Sequence, residues 1–130
     1  MPVRVLDASA AVELLLGTAA GRRAAESLRG GVVAAPADLD SDVLSALGRL
    51  ARAGEVTEDR VALGLGELAR APIRRFPLAP LLAAAWARRA NLSLRDALYV
   101  ALAHELGATL VTADRRLAGA PGLAIGVTVV

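Results

Sequence analysis

Four aspartates stand where side chains from separate segments can meet. Asp7 and Asp114 come just after short apolar runs, and Asp42 and Asp96 lie near the beginning of segments with helical spacing. Carboxylates that gather in one place repel each other and take up protons unless a divalent cation neutralises them. Oxygen ligands suit Mg²⁺ and Mn²⁺, which retain water and leave positions open for a substrate. The four residues therefore predict one metal site.

Two of these aspartates are expected at one edge of a sheet. Asp7 and Asp114 each follow a mostly apolar run, as found in strands that are buried on both faces of a parallel sheet. In open α/β sheets the functional crevice lies at the carboxyl ends of the strands, which places the two residues together. Thr112 adds a hydroxyl at this edge, and Ser9 is expected to cap the helix that follows Asp7.

For three of the four aspartates, helix capping is the alternative to metal binding. Asp is a favoured N-cap residue, so Asp7 and Asp114 can each be read equally well as the cap of the next helix. Asp96 is the fourth residue of a capping box that begins at Ser93. Arg95 is the nearest cation to Asp96, but neighbouring positions on a helix face apart. Helix capping alone does not predict that the four helix N-termini lie at the same edge of the sheet.

Asp42 also has an ordinary explanation within its own segment. An acid in the first turn of a helix complements the helix dipole, and for this segment alone that interpretation is the stronger one. We interpret Asp38 and Asp40 as a helix cap and a solvated acid. Asp42 lies away from the apolar stripe of this helix, on the face that it shares with Asp38.

The order of apolar runs predicts an α/β protein. Strands separated by helices call for a mostly parallel central sheet with right-handed crossovers, in a three-layer α/β/α sandwich. A length of 130 residues fits a single domain, residues 1–130. The predicted strands cover residues 3–6, 32–34, 73–76, 109–112 and 125–130, and the predicted helices cover residues 10–16, 18–29, 38–53, 57–70, 79–90, 93–106 and 114–118.

Composition excludes several kinds of chemistry. The chain has no Cys and no Lys, which argues against thiol nucleophiles, zinc thiolate sites, phosphoacceptor receiver domains and phosphatases of the haloacid-dehalogenase type. A single His104 cannot form a typical transition-metal site, and we expect a structural role for it. Glycine signatures of nucleotide sites are absent. Trp86 and Tyr99 are interpreted as packing residues, because a base-stacking platform needs several exposed aromatics.

Charge and hydropathy indicate the environment. All 15 basic residues are Arg, against 13 acidic residues. If four acids belong to a site, nine remain, and the rest of the surface carries a net charge of +6, which suits a polyanionic partner. No apolar run reaches the length of a membrane span, so we expect no membrane association and a cytoplasmic location.

The motifs around these aspartates resemble the PIN-domain family, in particular the toxin ribonucleases of the VapC type. The resemblance runs essentially from end to end. Each motif is short, but their order and spacing are specific. They are Val5-Leu6-Asp7-Ala8-Ser9-Ala10, then Ala35-Pro36 followed by Asp42-Val43-Leu44-Ser45-Ala46-Leu47, then Asp96-Ala97-Leu98-Tyr99-Val100-Ala101-Leu102-Ala103, and finally Leu110-Val111-Thr112-Ala113-Asp114-Arg115-Arg116-Leu117.

The resemblance implies a metal-dependent endoribonuclease, the toxin of a type II toxin–antitoxin system. Asp7, Asp42, Asp96 and Asp114 match the catalytic, metal-binding acids, and Thr112 matches a supporting hydroxyl. One or two Mg²⁺ or Mn²⁺ ions, an RNA substrate and a homodimer are implied too. The resemblance also implies a cognate antitoxin that lays a helix near the first helices. There Ala11, Val12, Leu14, Leu15 and Leu16 are more apolar than one buried stripe requires.

The chain departs from the family at Asp42, where Glu is common. The shorter side chain leaves room for a water between carboxylate and ion, which predicts reduced activity or a shifted metal preference. The alternative function is a catalytically weak or inactive PIN-like module that binds RNA or a protein.

Overall fold

The chain folds around one five-stranded sheet in which every pair of neighbouring strands is parallel. The computed structural model describes all 130 residues. The strand order is β3-β2-β1-β4-β5. This confirms the predicted α/β class and parallel sheet. The strands are β1 (Val3–Leu6), β2 (Val32–Pro36), β3 (Ile73–Phe76), β4 (Thr109–Thr112) and β5 (Val127–Val129).

Seven α-helices cover the two faces of the sheet. α1 to α4 contact one another, whereas α5 packs on α6. Right-handed crossovers place these two groups on opposite faces, which gives the predicted three layers. None of the helices has the length and apolar character needed to cross a membrane. The helices are α1 (Ala8–Leu16), α2 (Ala19–Leu28), α3 (Leu39–Arg52), α4 (Glu58–Arg70), α5 (Leu82–Ala87), α6 (Leu94–Leu106) and α7 (Arg115–Ala118).

The core lies on both sides of the central strands. Val5 and Leu6 of β1 and Leu110 and Val111 of β4 are each at most 1% exposed. A strand that is covered on both faces needs apolar side chains at successive positions rather than at alternate ones. The apolar runs of β1 and β4 therefore predict buried strands, and in the structure these strands lie in the middle of the sheet.

The sheet has a topological switch point between β1 and β4. After β1 the chain adds β2 and then β3 on one side, and β4 returns to the other side of β1. A crevice opens at the carboxyl ends of the strands where the order reverses in this way. Asp7 directly follows β1 and Asp114 follows β4 by two residues, so the topology brings both to the mouth of this crevice.

Four elements differ from the prediction by two residues or more, and one of them is β2, which extends to Pro36 instead of residue 34. α1 begins at Ala8 instead of residue 10, so Asp7 takes the N-cap position and Ser9 lies inside the helix. The predicted helix 79–90 is a 3₁₀ turn that runs into the shorter α5, and Pro80, which has no N–H, lies in that turn. The predicted strand 125–130 pairs only over Val127–Val129, because Ala124 has a positive φ of 56° and the chain turns there.

The apolar surplus on the first helix has a structural explanation. Ala11 and Leu15 are buried, and Val12, Leu14 and Leu16 are half-buried against the core. α1 contacts α2, α3 and α4, so it needs apolar residues on more than one face. Val12, Leu14 and Leu16 nevertheless keep part of their surface exposed, so the expected contact of a partner helix near the first helices stays a prediction.

Gly21 allows α1 and α2 to pack closely. A Cβ atom at this position would lie 2.1 Å from the backbone oxygen of Glu13 and 2.9 Å from Cα of Leu14. Backbone atoms cannot move aside as the end of a flexible side chain can. The close approach of the two helices therefore requires glycine at position 21.

We predict that Gly21→Ala lowers the free energy of unfolding by about 2 kcal/mol, since the overpacking cost exceeds the gain in helix propensity. Gly48→Ala in α3 is the matched control, because a Cβ there meets only the end of the Arg52 side chain at 3.5 Å. The control should be about as stable as the parent or up to about 1 kcal/mol more stable. Denaturant unfolding measures both, and a Gly21→Ala variant as stable as the parent would contradict the packing argument.

Candidate active site

One cleft at the carboxyl ends of the strands contains all four predicted aspartates. Its volume is about 380 Å³. Asp7 and Asp114 come from the ends of β1 and β4, Asp42 from the first turn of α3, and Asp96 from the first turn of α6. Four distant segments thus contribute one acid each. The other lining residues are Ala8, Ser9, Val12, Ala46, Arg49, Ser93, Arg95, Tyr99 and Arg116.

Asp7 is held by two hydroxyl groups. Its Oδ2 accepts hydrogen bonds from Ser9 Oγ at 2.6 Å and from Thr112 Oγ1 at 2.8 Å. The backbone N–H of Ala113 donates to Ser9 Oγ at 3.0 Å, and that of Asp114 donates to Thr112 Oγ1 at 3.0 Å. These bonds connect the carboxylate that follows β1 to the end of β4 and the segment after it. The backbone N–H of Ser9 also lies near the carboxylate and lowers its pKa, but Asp7 Oδ1 accepts no hydrogen bond of ordinary geometry from the protein.

Ser9 acts differently from the expectation that it caps the helix. Its hydroxyl donates to the side chain of Asp7 and does not satisfy a free N–H of α1. Asp7 stands at the N-cap position, but its side chain makes no capping hydrogen bond either. The carboxylate is thus held towards Ser9 and Thr112 rather than over the end of the helix, and capping does not explain Asp7.

Burial makes the charge on Asp7 unfavourable. The residue is 5% exposed, and this burial is the main reason that the pKa of its carboxyl is raised. The hydroxyls of Ser9 and Thr112 oppose the rise, and repulsion from Asp96 adds to it. Repulsion between carboxylates therefore contributes to the raised pKa of Asp7, but less than burial does.

Asp42 is neutralised by the chain itself. Its Oδ1 accepts from a guanidinium nitrogen of Arg95, and its Oδ2 accepts from Tyr99 Oη at 2.9 Å. The residue is 8% exposed and Tyr99 is 1% exposed. A buried carboxylate needs such partners, and with no Lys in the chain an Arg supplies the positive charge. Arg95 thus pairs with an acid 53 positions away rather than with its neighbour Asp96.

Asp96 and Asp114 are the more accessible acids. Both are half-buried, and the carboxylate of Asp96 makes no hydrogen bond or ion pair with the protein. Asp114 does cap α7, because its Oδ1 accepts from the backbone N–H of Arg116 at 2.9 Å and from that of Leu117 at 3.3 Å. The capping interpretation is therefore right for Asp114, which nevertheless lines the cleft.

The carboxylates share the cleft without forming a closed set of ligands. No three acidic or histidine side chains lie close enough to bind one ion together. Asp42 faces Arg95 and Tyr99, whereas Asp7 and Asp96 keep free oxygens. The structure therefore brings the four predicted residues to one place, and their joint binding of an ion stays a prediction.

Two acids near the site differ from their interpretation. Asp40 is bound rather than solvated, because Arg75 donates to its two oxygens at 2.8 and 3.0 Å. Asp38 stands at the N-cap position of α3, but its side chain makes no capping hydrogen bond and its Oδ1 is buried without a partner. Burial and the charge of Asp42 raise the pKa of Asp38.

Sequence reasoning missed the role of Tyr99 and the arginines of the cleft. Tyr99 was interpreted as a packing residue, and it is buried, but its hydroxyl binds Asp42. Its position three residues after Asp96 puts it on the same face of α6, which is the signal that could have found it. For Arg95, the residue next to Asp96 on α6, the sequence offers no comparable signal, because its partner lies on another helix.

Two residues outside the cleft also depart from expectation. Trp86 is 57% exposed, so it is not a core residue, and Arg89 stacks on its ring at 4.5 Å from the centroid. His104 is exposed near the carboxyl end of α6, and it does not line the cleft. Neither residue contributes to the arrangement around the four aspartates.

Comparisons with known proteins show the family of this chain. The model of the PIN domain matches residues 4–123. Ribonuclease VapC3 of Mycobacterium tuberculosis is 49% identical over 117 residues, which cover 89% of this chain and 85% of the relative. Ribonuclease VapC12 of the same species is 41% identical over 118 residues, which cover 91% and 92% of the two chains.

Solved structures show the same fold. PAE2754 from Pyrobaculum aerophilum superposes with a TM-score of 0.68 at 27% identity, over 97% of this chain and 83% of the other. A chain of a toxin–antitoxin complex from Klebsiella pneumoniae superposes with a TM-score of 0.54 at 19% identity, over 96% and 95% of the two chains, which shows likeness of fold alone. The match of the family model over residues 4–123, together with relatives of 49% and 41% identity, establishes that the chain belongs to the PIN-domain family, among the VapC proteins.

Proposed function

We propose that this protein is an endoribonuclease that hydrolyses phosphodiester bonds of RNA and acts as the toxin of a type II toxin–antitoxin pair. The observation that carries the proposal is the meeting of four aspartates from four separate segments in one cleft at the switch point of the sheet. The relatives of 49% and 41% identity bear the names Ribonuclease VapC3 and Ribonuclease VapC12, which indicates the same activity.

The proposed cofactor is Mg²⁺ or Mn²⁺, as one or two ions. The acidic donors in the cleft are all carboxylate oxygens, which suit these cations, and the cleft has no His or Cys for a softer metal. Mg²⁺ commonly uses one or two carboxylates and keeps several waters, so it does not need three protein ligands already in place. Asp7 and Asp96 are the first candidates, since both have oxygens without a protein partner.

The catalytic residues of the proposal are Asp7, Asp42, Asp96 and Asp114. When bound, the cation stabilises charge on the scissile phosphate and lowers the pKa of the attacking water. Ser9 and Thr112 hold Asp7 in one orientation, so that Oδ1 remains open. Asp114 is fixed by capping α7. In this structure Asp42 is held by Arg95 and Tyr99, and it can take part directly only if Arg95 moves away.

An RNA substrate is supported by the charge around the acids. Three arginines line the same cleft, namely Arg49, Arg95 and Arg116. A cleft of carboxylates alone would repel a polyanion, and these arginines supply positive charge that attracts it. A cytoplasmic location is part of the proposal, because that is where an RNA substrate and an antitoxin partner would be met.

The proposed protein partners are a cognate antitoxin and a second copy of the chain. An apolar groove runs between α3 and α4, where Leu44 is 55% exposed and Leu65, Leu68 and Ala69 form the other wall. It offers an antitoxin an apolar surface in addition to the half-buried side chains of α1. Leu82 and Trp86 on α5 are exposed as well, which supports a further contact such as a homodimer.

The alternative is a PIN-like module that binds RNA or a protein without cutting. The ion pair of Asp42 with Arg95 favours this alternative in one respect, because it occupies one of the four acids. The free oxygens of Asp7 and Asp96 favour the enzyme. Cation binding and RNA cleavage separate the two functions.

We predict that Mn²⁺ raises the melting temperature of the protein and that Asp7→Asn and Asp96→Asn each remove most of this rise. A ligand that binds only the folded state stabilises it by mass action, and each substitution removes an ionised oxygen ligand. Glu26→Gln, which changes an exposed acid in an ion pair with Arg29, should leave the rise unchanged. A rise of the same size in all four proteins would contradict a site at Asp7 and Asp96.

We predict that Asp96→Asn lowers the rate of RNA cleavage at saturating Mg²⁺ by at least about 100-fold, because a charged ligand of the cation is lost. Thr112→Val should lower the rate by about 10- to 100-fold, as expected for a residue that orients a ligand. Gel analysis of a labelled RNA measures both rates, with Glu26→Gln as control. Cleavage that continues in excess chelator would show that the activity does not belong to this site.

We predict that Asp7→Asn stabilises the metal-free protein at neutral pH. The raised pKa means that the folded state binds the Asp7 proton more tightly than the unfolded chain does. The contribution of Asp7 to stability is therefore greatest at low pH and is lost as the pH rises from about 3.8 through the raised pKa. The free energy of unfolding of Asp7→Asn relative to the parent should thus increase over that range.

Denaturant unfolding in chelator at several pH values tests this prediction. Asp59→Asn, a change of an exposed acid on α4, should show no comparable increase relative to the parent. If Asp7→Asn is less stable than the parent at neutral pH, then the hydrogen bonds from Ser9 and Thr112 outweigh the cost of burying the charge.

A further inference from the structure

Arg95 lies at the boundary between the buried acids and solvent. Its side chain is 62% exposed, whereas the side chain of its partner Asp42 is 9% exposed. Arg95 lines the same cleft as Asp7, Asp96 and Asp114. An exposed Arg rarely keeps one orientation, because holding its long side chain costs conformational entropy. Here a buried carboxylate holds it.

Asp42 is itself held firmly. Tyr99 Oη donates to its Oδ2 at 2.9 Å, and Arg95 contacts its Oδ1, so both carboxylate oxygens have partners. Burial, and next the charge of Asp42, raise the pKa of Tyr99, so its hydroxyl remains protonated and keeps donating. The three side chains form a row from the core to the mouth of the cleft, with Tyr99 innermost and Arg95 outermost.

Most of the guanidinium remains available. The group has five N–H donors, and a single nitrogen of Arg95 donates to the protein. Such a planar fork matches two oxygens of a phosphate, which the point charge of a Lys does not. The other two arginines of the cleft are held less firmly: Arg116 is 3.6 Å from the Asp114 carboxylate with its side chain 85% exposed, and Arg49 is exposed without an ion pair.

We infer that Arg95 binds a phosphate group of the RNA substrate beside the catalytic aspartates, and that Asp42 and Tyr99 serve to position it. The inference rests on the proposed RNA substrate. It gives Asp42 a role that its shorter side chain can fill, as the anchor of a phosphate-binding Arg. Tyr99 is then a positioning residue that acts through Asp42.

Binding of a fluorescent single-stranded RNA in chelator tests the inference without cleavage. Loss of one charged hydrogen-bonding group should raise the dissociation constant by about tenfold for Arg95→Ala. The slope of log affinity against log salt should also fall by about 0.7, the value for one phosphate contact on a single strand. Arg95→Lys, which keeps the charge and loses the fork, should give an intermediate dissociation constant.

Arg29→Ala is the matched control. Arg29 is an exposed Arg paired with a carboxylate, as Arg95 is, because it contacts Glu26 at 3.1 Å. It lies just before β2, at the opposite end of the sheet from the cleft. The same loss of charge there should change the dissociation constant and the salt slope much less than Arg95→Ala does.

A double-mutant cycle with Asp42→Asn separates phosphate binding from simple neutralisation of Asp42. If Arg95 contacts the RNA, Arg95→Ala should weaken binding in the Asp42→Asn background too, with the lower salt slope. If Arg95 only cancels the charge of Asp42, then Arg95→Ala should have no effect once position 42 is uncharged, which would overturn the inference. Circular dichroism confirms that each variant is folded.

Tyr99→Phe tests the positioning role. It removes one hydrogen bond and no charge, so it should weaken RNA binding less than Arg95→Ala and leave the salt slope unchanged. Failure of the proposed function has a different result: a parent protein that binds RNA through Arg95 but never cleaves it would refute the nuclease and keep the inference. A parent protein that does not bind RNA at low salt in chelator, or an Arg95→Ala variant that binds as tightly as Arg29→Ala, would overturn the inference.

Discussion

Burial of negative charge at the switch point of the sheet is the constraint on which the rest of the structure depends. Asp7 lies at the carboxyl ends of β1 and β4 and is almost fully buried. Two hydroxyls donate to it, and two backbone N–H groups hold those hydroxyls in place. Asp42 is nearly as buried. The chain compensates the two acids differently: hydroxyls partly stabilise Asp7, whereas Arg95 neutralises Asp42 outright. The remaining uncompensated charge is what makes a cation at Asp7 and Asp96 physically reasonable.

The same constraint links the fold to the proposed chemistry. Reversal of strand order between β1 and β4 opens a crevice at the carboxyl ends of the strands. Helices from both faces of the sheet can begin at this crevice. α3 brings Asp42 from one face and α6 brings Asp96 from the other. A parallel sheet thus collects acids that are far apart in sequence, and basic residues on the same helices surround them. In the proposed function the acids would hold a cation and the arginines would bind the polyanion.

The sequence predicted the sheet and the meeting of the four aspartates, because both follow from regular patterns. Mostly apolar runs such as residues 3–6 indicate strands that are covered on both faces, and the carboxyl ends of parallel strands lie at one edge. The sequence did not predict the partners of Asp42. Spacing puts Tyr99 on the face of Asp96, but the contacts of Arg95 and Tyr99 with Asp42 depend on how α6 packs relative to α3, which no local pattern encodes. The same holds for Asp40, which looked solvated and binds Arg75 of a neighbouring strand. Local patterns thus identified the acids, and tertiary packing decided which of them stay free.

The central claim is that the cleft of the four aspartates is a cation site. A crystal structure of the protein soaked with Mn²⁺, with anomalous diffraction recorded near the manganese edge, tests it most directly. We expect an anomalous peak within coordination distance of Asp7 Oδ1 and of the Asp96 carboxylate, with Arg95 still bound to Asp42. A cleft without a peak, in crystals that show manganese elsewhere on the molecule, would contradict the claim.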